Sequence, residues 1–205
     1  MKQLSRGFTL VEMIFTVGLL ALILGLGVPS FLEFSRNNRT TGIANDLLAD
    51  LNLARSEAVK RRVPVTVCAS ANPLATTPTC SATNATSFSG WVVFIDDANA
   101  AAASSDDGDA TIDTGETVIR QRATIPTGMT ARSDAGFVTY TDSGFPKSVG
   151  TSPSVASATR VVLCDSRGNT ASTAGNSAGR AVTISATGRA GVTRSISQIT
   201  TLGGC

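Results

Sequence analysis

The sequence predicts an α+β fold in which a long N-terminal membrane-spanning α-helix packs on an antiparallel β-sheet domain. Three observations support this prediction. An apolar run without charged residues extends over 13–32, and apolar residues at helical spacing follow within 35–62. From residue 63 onward, short Val- and Ile-rich runs alternate with turn residues, as in strands. A helix followed only by strands is typical of the α+β class, with one sheet or a pair of sheets laid on the helix.

The N-terminal segment divides into a short basic leader, 1–7, and an apolar helix, 8–34. The uncharged run has about the 20 residues that a membrane-spanning helix needs. Its glycines and Pro29 are also more frequent in membrane helices than in soluble ones. A secretory signal peptide would have a shorter apolar core and an Ala-x-Ala cleavage site, and this segment has neither.

Charges near the N-terminus refine this interpretation. Lys2 and Arg6 precede the apolar run, so the positive-inside rule predicts a cytoplasmic N-terminus and places the rest of the chain on the other side of the membrane. A plain anchor would leave Glu12 unexplained. A carboxylate inside the membrane costs about 2.5–3.5 kcal/mol on insertion scales, so it is normally retained for a partner.

The second half of the helix, 35–62, is predicted to be amphipathic. An apolar stripe at steps of three and four residues is expected to pack under the sheet: Ile43, Leu47, Leu51, Ala54 and Ala58. The charged residues are expected mostly to lie off it: Asp46, Asp50, Arg55, Glu57, Lys60, Arg61 and Arg62. Pro64 ends the helix, because it holds the preceding residue in an extended conformation. A continuous helix over 8–62 would be about 80 Å long, with a kink or local melting near Pro29.

The remainder, 63–205, is predicted to be a single β-rich domain. Six strands are expected, the last of them weak: Val65–Cys68, Trp91–Ile95, Thr117–Arg120, Arg160–Cys164, Arg180–Ile184 and Val192–Ile199. No gap between them carries a convincing helical pattern.

The N-terminal junction Gly7-Phe8-Thr9-Leu10-Val11-Glu12-Met13 resembles the class III signal of type IV prepilins and type II secretion pseudopilins. The resemblance implies cleavage after Gly7 by a cytoplasm-facing prepilin peptidase and methylation of the new N-terminal Phe8. It also implies a partner for Glu12, namely the Phe8 amino group of the same or a neighbouring subunit in a filament core. A buried carboxylate is tolerable when it is paired with a cation, so the physical argument agrees.

Four later segments resemble one branch of this superfamily, the FimT/GspH-type minor pilins and secretion-system H pseudopilins. The segments are 54–61, 90–96, 115–120 and 179–189. The resemblance implies a structural subunit with a type IV pilin-like fold, whose partners are other minor and major pilins or pseudopilins. We interpret the chain as a minor pilin that primes or caps type IV pilus assembly. A type II secretion H pseudopilin is the alternative.

Four cysteines, Cys68, Cys80, Cys164 and Cys205, lie on the predicted outer side of the membrane. An even number in an oxidising compartment favours disulfides, and three pairings are possible. We favour Cys68–Cys80 with Cys164–Cys205, because the alternatives join distant segments and Cys205 would otherwise end a free tail.

Metal, cofactor and catalytic functions have little support. The chain has no histidine, no Cys-x-x-Cys pair and no phosphate-binding loop or nucleophile elbow, so we expect no cofactor and no enzymatic activity. The acidic stretch 96–116 contains Asp106-Asp107-Gly108-Asp109, but its spacing does not match a calcium-binding loop. A solvated hairpin loop explains it better.

Nucleic acid is the remaining alternative partner. Cleavage after Gly7 would leave 15 basic and 15 acidic residues, so bulk charge does not favour DNA. Some members of the resembled family bind DNA during natural transformation through a Gly-Arg-x-Arg loop. Here Gly191 replaces the second arginine, and Arg189 and Arg194 could share a face only if the turn after Gly188 folds back. We do not favour DNA binding.

Overall fold

The structure is a computed structural model that describes residues 7–81, 88–97, 108–148, 156–168, 171–172, 176–203 and 205. The chain divides into two compact units, Met1–Arg39 and Thr40–Cys205. The second unit contains the last part of the long helix together with the strands, so helix and sheets form one folding body there.

The long helix, α1, spans Leu10–Arg61 and has 52 residues. It begins two residues later than predicted, because Thr9 occupies the capping position and its Oγ1 accepts the backbone N–H of Glu12 at 3.2 Å. It ends one residue earlier, since Arg62 has a φ of 60° and a left-handed residue cannot continue a right-handed helix. The helix continues through Pro29, so it does not melt there, because one missing backbone hydrogen bond does not interrupt it. The alternative, a kink at Pro29, stays a prediction.

The apolar stripe of α1 is confirmed, because all five of its predicted residues are buried. The placement of Asp50 off this stripe is wrong, since its side chain is fully buried. Asp50 follows Leu47 by three positions and precedes Ala54 by four, which is the spacing of the stripe itself. Asp50 was expected on the outer face because it is charged, although its helical spacing places it on the buried stripe.

Within the described residues, ten strands form two antiparallel sheets, which is the second of the two arrangements that the sequence predicts. Their bounds are β1 Val65–Ser70, β2 Gly90–Ile95, β3 Thr117–Arg122, β4 Thr130–Ser133, β5 Phe137–Tyr140, β6 Pro146–Lys147, β7 Arg160–Cys164, β8 Ala171–Ser172, β9 Asn176–Ile184 and β10 Ala190–Ser195. Sheet I has the order β3-β2-β1-β5-β6. Sheet II has the order β10-β9-β7-β4, and β8 pairs with β9.

Four short strands, β4, β5, β6 and β8, were not predicted. The predicted strand over 192–199 is correct only as far as Ser195, where β10 ends. A short helix, α2, spans Ile196–Thr200 instead. The reason is packing: within α2, Ile199 is completely buried beside Val162 and Cys164 of sheet II.

The main core lies where α1 meets the inner faces of both sheets. Helix residues such as Leu51 pack there with Trp91 of sheet I and Leu163 of sheet II. Each sheet also has a smaller apolar cluster on its other face, formed by the alternate strand residues that point away from the main core. Cys68, Val92 and Phe94 form that cluster on sheet I, and α2 with Leu202 completes the one on sheet II. Because both faces of the central strands are covered, β1 and β2 are buried throughout.

We expect Gly90→Ala to destabilise the second unit strongly. A Cβ at Gly90 would lie 1.7 Å from the carbonyl oxygen of Arg122, so β2 and β3 would have to separate. The expected loss is about 3 kcal/mol of unfolding free energy, measured by denaturant unfolding of a fragment beginning at Asn37.

The matched control is Gly191→Ala in β10, where no atom lies within 4 Å of the added methyl group. Its unfolding free energy should change by less than about 1 kcal/mol. Equal effects of the two substitutions would show that the contact at Gly90 does not constrain the sheet.

Candidate assembly sites

The N-terminal unit presents an apolar helical surface. Phe8 has 79% of its surface exposed, and every residue from Phe8 to Phe34 is exposed. Within the described part of the chain, α1 is the one helix whose length and composition would allow it to cross a membrane. Gly7 and Phe8, the predicted processing residues, immediately precede the capping residue Thr9. The junction therefore lies outside regular secondary structure, and the helix begins after it.

Glu12 lies in the first turn of α1, where a negative charge interacts favourably with the helix dipole. Its backbone N–H donates to Thr9, and its carboxylate is exposed together with its neighbours. The Thr9-x-x-Glu12 spacing is that of a capping box, and this signal could have located the helix start. The carboxylate is thus held on an ordered turn, four residues after Phe8.

A buried polar cluster attaches α1 to sheet I, and sequence reasoning missed it. Trp91 Nε1 donates to Asp50 Oδ2 at 2.8 Å. Arg120 Nη1 donates to Asp50 Oδ1 at 2.7 Å, and Arg122 Nε donates to Asp50 Oδ2 at 3.1 Å. Both carboxylate oxygens therefore accept hydrogen bonds, two of them from guanidinium groups. The buried Asp50 carboxylate is tolerated because two guanidinium groups neutralise its charge and three donors hydrogen-bond its oxygens.

The cysteines form the two disulfides that the sequence favoured, Cys68–Cys80 and Cys164–Cys205, each with Cα atoms 5.4 Å apart. Cys68 and Cys80 belong to the smaller cluster of sheet I. Cys164 belongs to that of sheet II, beside α2. Each disulfide therefore joins a strand to the segment that packs over one side of its sheet.

The acidic stretch is anchored by Asp96, whose side chain is fully buried at the end of β2. Asp96 accepts hydrogen bonds from Thr66 Oγ1 at 2.5 Å and from the backbone N–H groups of Asp109 and Ala110 at 3.2 and 3.0 Å. Burial nevertheless raises the pKa of Asp96 to about 6. Burial also raises the pKa of Glu116 to about 8, although Glu116 accepts the N–H of Asp113 at 2.9 Å.

These carboxylates have structural partners. Among the described residues, no three His, Cys, Asp or Glu side chains are placed to hold a metal ion. Asp106 and Asp107 lie outside the described residues. The described part of the stretch thus acts as a loop whose backbone is bound to Asp96.

The two arginines of the DNA hypothesis are not brought together. Arg189 closes the Ser185–Arg189 turn through a backbone hydrogen bond of 2.9 Å, and its side chain is exposed. Arg194 lies on β10, half-buried, with its guanidinium 3.4 Å from the carbonyl oxygen of Ser177. The turn after Gly188 does fold back, but it sends β10 along β9. About 17 Å of extended chain therefore separates the backbone of Arg194 from that of Arg189.

Comparison with known proteins assigns the family. The family model described as type II transport protein GspH matches residues 44–188, more than two thirds of the chain. The chain belongs to the GspH family. This confirms the FimT/GspH-type resemblance. The match contains Asp50 and its partners, whereas Glu12, Arg189, Arg194 and Cys205 lie outside it.

Solved structures with similarity to this GspH-family chain include two crystal forms of the Pseudomonas aeruginosa (strain PAO1) type IV minor pilin FimU. The P21 form has 19% identity and a TM-score of 0.45, covering 78% of this chain and 91% of that chain. The P65 form has 18% identity and a TM-score of 0.41, covering 74% and 90%. No curated protein matches the chain significantly.

We expect Asp50→Ala to cost about 3 kcal/mol of unfolding free energy, because Trp91 loses its acceptor and two guanidinium groups lose their counter-charge. Denaturant unfolding followed by the fluorescence of Trp91, the single tryptophan, would measure the loss.

Asp46→Ala is the matched control. Asp46 lies 3.9 Å from Arg122 and its side chain is 43% exposed, so the loss should stay below about 1 kcal/mol. A loss at Asp50 as small as that at Asp46 would contradict a central role for the buried cluster.

The second unit should also become less stable as pH rises. Glu116 has a folded pKa of about 8 against an ordinary 4.5, so between these values the folded state holds a proton that the unfolded chain has released. Asp96 acts in the same direction between pH 3.8 and about 6. The contribution of these two groups to stability is therefore fully present below about pH 4 and is lost through this window.

Unfolding titrations at a series of pH values would test the prediction. Glu116→Gln should flatten the fall between about pH 7 and 8, where Asp96 is mostly ionised. The control Asp142→Asn, at an exposed turn residue, should leave the slope unchanged. A wild-type curve that rises with pH in this range would contradict the assignment.

Proposed function

We propose that this GspH-family chain is a minor pilin, a structural and non-enzymatic subunit that primes or caps the assembly of a type IV pilus. The observation that carries the proposal is the exposed apolar segment 8–34, which begins at the Gly7–Phe8 junction and contains Glu12 as its one acidic residue before Glu33. A surface of this kind requires a lipid or protein environment. A subunit that moves from a membrane into a fibre meets both.

The proposed sequence of events follows from these residues. The precursor lies in the inner membrane with residues 1–7 in the cytoplasm and the sheet domain in the periplasm. Prepilin peptidase cleaves after Gly7, and Phe8 is methylated. The segment 8–34 then leaves the lipid and packs among other pilin helices. There the Glu12 carboxylate pairs with a Phe8 amino group and so fixes the axial position of the subunit.

The second candidate is an H pseudopilin of a type II secretion system, which the description of the matched family favours. Two disulfides support the pilus assignment, because they fix the covering segments of both sheets in a fibre that leaves the cell. DNA binding is not part of the proposal. The separation of Arg189 and Arg194 along β10 gives it no support.

Glu12→Leu tests the proposal. The substitution removes a charge from the apolar segment, so membrane insertion should be retained or become easier. Recovery in sheared pili should fall by about tenfold or more, since a charge-assisted contact in a filament core would be lost. Intact-mass measurement should meanwhile show cleavage after Gly7 and one added methyl group in both proteins.

Glu33→Leu at the other end of the segment is the matched control and should leave recovery near normal. Normal incorporation of the Glu12→Leu protein would remove the assembly role of this carboxylate. Association of the wild-type chain with a secretion pseudopilus, and not with sheared pili, would establish the second candidate. A mature N-terminus beyond Ser30 would contradict both.

A further inference from the structure

The second unit has a surface patch in which apolar side chains are left exposed beside cations. Among its described residues, three large apolar side chains are exposed, namely Val59, Leu74 and Phe145. Val59 and Phe145 are each 50% exposed. Val59 lies against the turn that carries Phe145, because a Cβ at Gly144, the residue before Phe145, would lie 3.1 Å from Val59 Cγ2. Leu74 lies in a different loop.

Three elements build this patch and hold it rigidly. On α1, Arg55 Nε donates to the carbonyl oxygen of Gly144 at 3.0 Å, which attaches the helix to the turn that carries Phe145. The Ser185–Arg189 turn is pressed against the same position, since a Cβ at Gly188 would lie only 2.4 Å from that oxygen. Gly144 and Gly188 both have positive φ values, 78° and 77°, so glycine is suited to both turns.

Cations surround the apolar centre. Arg55 lies one helical turn before Val59, Arg62 directly follows the last helical residue, and Arg189 follows Gly188 in the adjoining turn. Arg62 and Arg189 are exposed. Among the described residues of the turn that carries Phe145, the acidic one is Asp142. Glu57, on α1, is already paired with Lys60 and Arg61 at 3.6 and 2.5 Å. Arg55, Arg62 and Arg189 thus outnumber Asp142. The acidic stretch borders this patch beyond Arg62, since a Cβ at Gly108 would lie 3.4 Å from Pro64 Cβ.

We propose that this patch, made of Arg55, Val59, Arg62, Phe145 and Arg189, is a docking surface for an acidic face of another pilin-type subunit. An apolar centre with a polar rim is the usual anatomy of a protein interface, and arginine is enriched there. The rim requires carboxylates on the partner, around an apolar side chain that contacts Val59 and Phe145. Because the patch is already ordered in the free chain, binding orders few groups.

Protein fits this surface better than nucleic acid. An aliphatic side chain, Val59, occupies half of the apolar centre, whereas sequence-independent nucleic-acid sites use aromatic platforms in a groove that tracks the backbone. The mature chain is also formally neutral. The identity of the partner as a pilin-type subunit rests on the proposed function.

Photo-crosslinking of the full-length chain in cells that make the fibre would test the proposal. A photoreactive phenylalanine analogue is placed at Phe145 or at Val59, with Leu74 as the matched exposed control. We expect an adduct from both patch positions and none from Leu74. Mass spectrometry should identify the partner as a protein with a prepilin-type N-terminus and Asp or Glu at the crosslinked surface.

Rim substitutions then test the charge complementarity. Arg62→Gln with Arg189→Gln should reduce the adduct from Phe145 by about three- to tenfold, as expected for two rim ion pairs. Lys60→Gln, on a different side of α1, should not reduce it. Normal recovery of the variants with a folded second unit, shown by an unchanged unfolding midpoint, excludes misfolding as the cause.

The outcomes separate the two proposals. Incorporation into pili without an adduct from either patch position would leave the minor-pilin assignment intact and overturn the docking surface. The same would follow from equal adducts at Leu74, from adducts to nucleic acid, or from no effect of the rim substitutions. An adduct to a secretion pseudopilin would support the docking surface and overturn the choice of machinery.

Discussion

The buried carboxylate of Asp50 is the constraint on which the second unit depends. A charge inside a core is tolerated only where its partners are in place, and those partners come from β2 and β3. The helix can therefore adopt one position along sheet I, since sliding by a turn would leave the carboxylate among apolar side chains. The contact of Arg55 with Gly144, five residues further along α1, is a second attachment at the other edge region of the same sheet. Two polar contacts thus fix a helix whose apolar stripe alone would permit several registers.

Once α1 occupies the inner faces, the opposite faces of the sheets need covers of their own. Strands such as β1 and β2 are buried on both sides, so each face needs a packing partner. The covering segments are short or irregular and bury few side chains, so they would form weakly without a covalent link. The disulfides supply it, closing loops with sequence separations of 12 and 41 residues. Cys164–Cys205 in particular holds α2 and Leu202 against sheet II, where a five-residue helix would not be stable by itself.

The features that sequence reasoning predicted are those that repeat along the chain. Clear periods mark the stripe of α1 and the Val-rich strands β1, β2, β7 and β9, so these elements were predicted to within a few residues.

The predictions that failed concern residues whose conformation depends on distant partners. The strand Thr130–Ser133 is polar and short, and it is extended because it pairs with β7. Ile196 and Ile199 fit a strand almost as well as one helical turn, and only the pocket on sheet II decides between them. Asp50 was expected on the outer face because the sequence does not reveal that two arginines of β3 neutralise its charge. Arg189 and Arg194 are separated by the length of β10, because the chain stays extended after the Ser185–Arg189 turn.

The two acidic residues Glu12 and Asp50 lie on one helix and present the same physical problem with different solutions. Asp50 finds its cations within its own chain, so its burial is complete before any other subunit is present. Glu12 is ordered by Thr9 yet exposed, and the nearest cation in the proposed fibre, a Phe8 amino group, exists only after cleavage at Gly7. A carboxylate without a partner disfavours the apolar environment, whereas a paired one tolerates it. In the proposed mechanism, therefore, folding and assembly are separate events. The domain folds first around a satisfied charge, and the remaining charge makes entry into the fibre conditional on processing and on correct axial position.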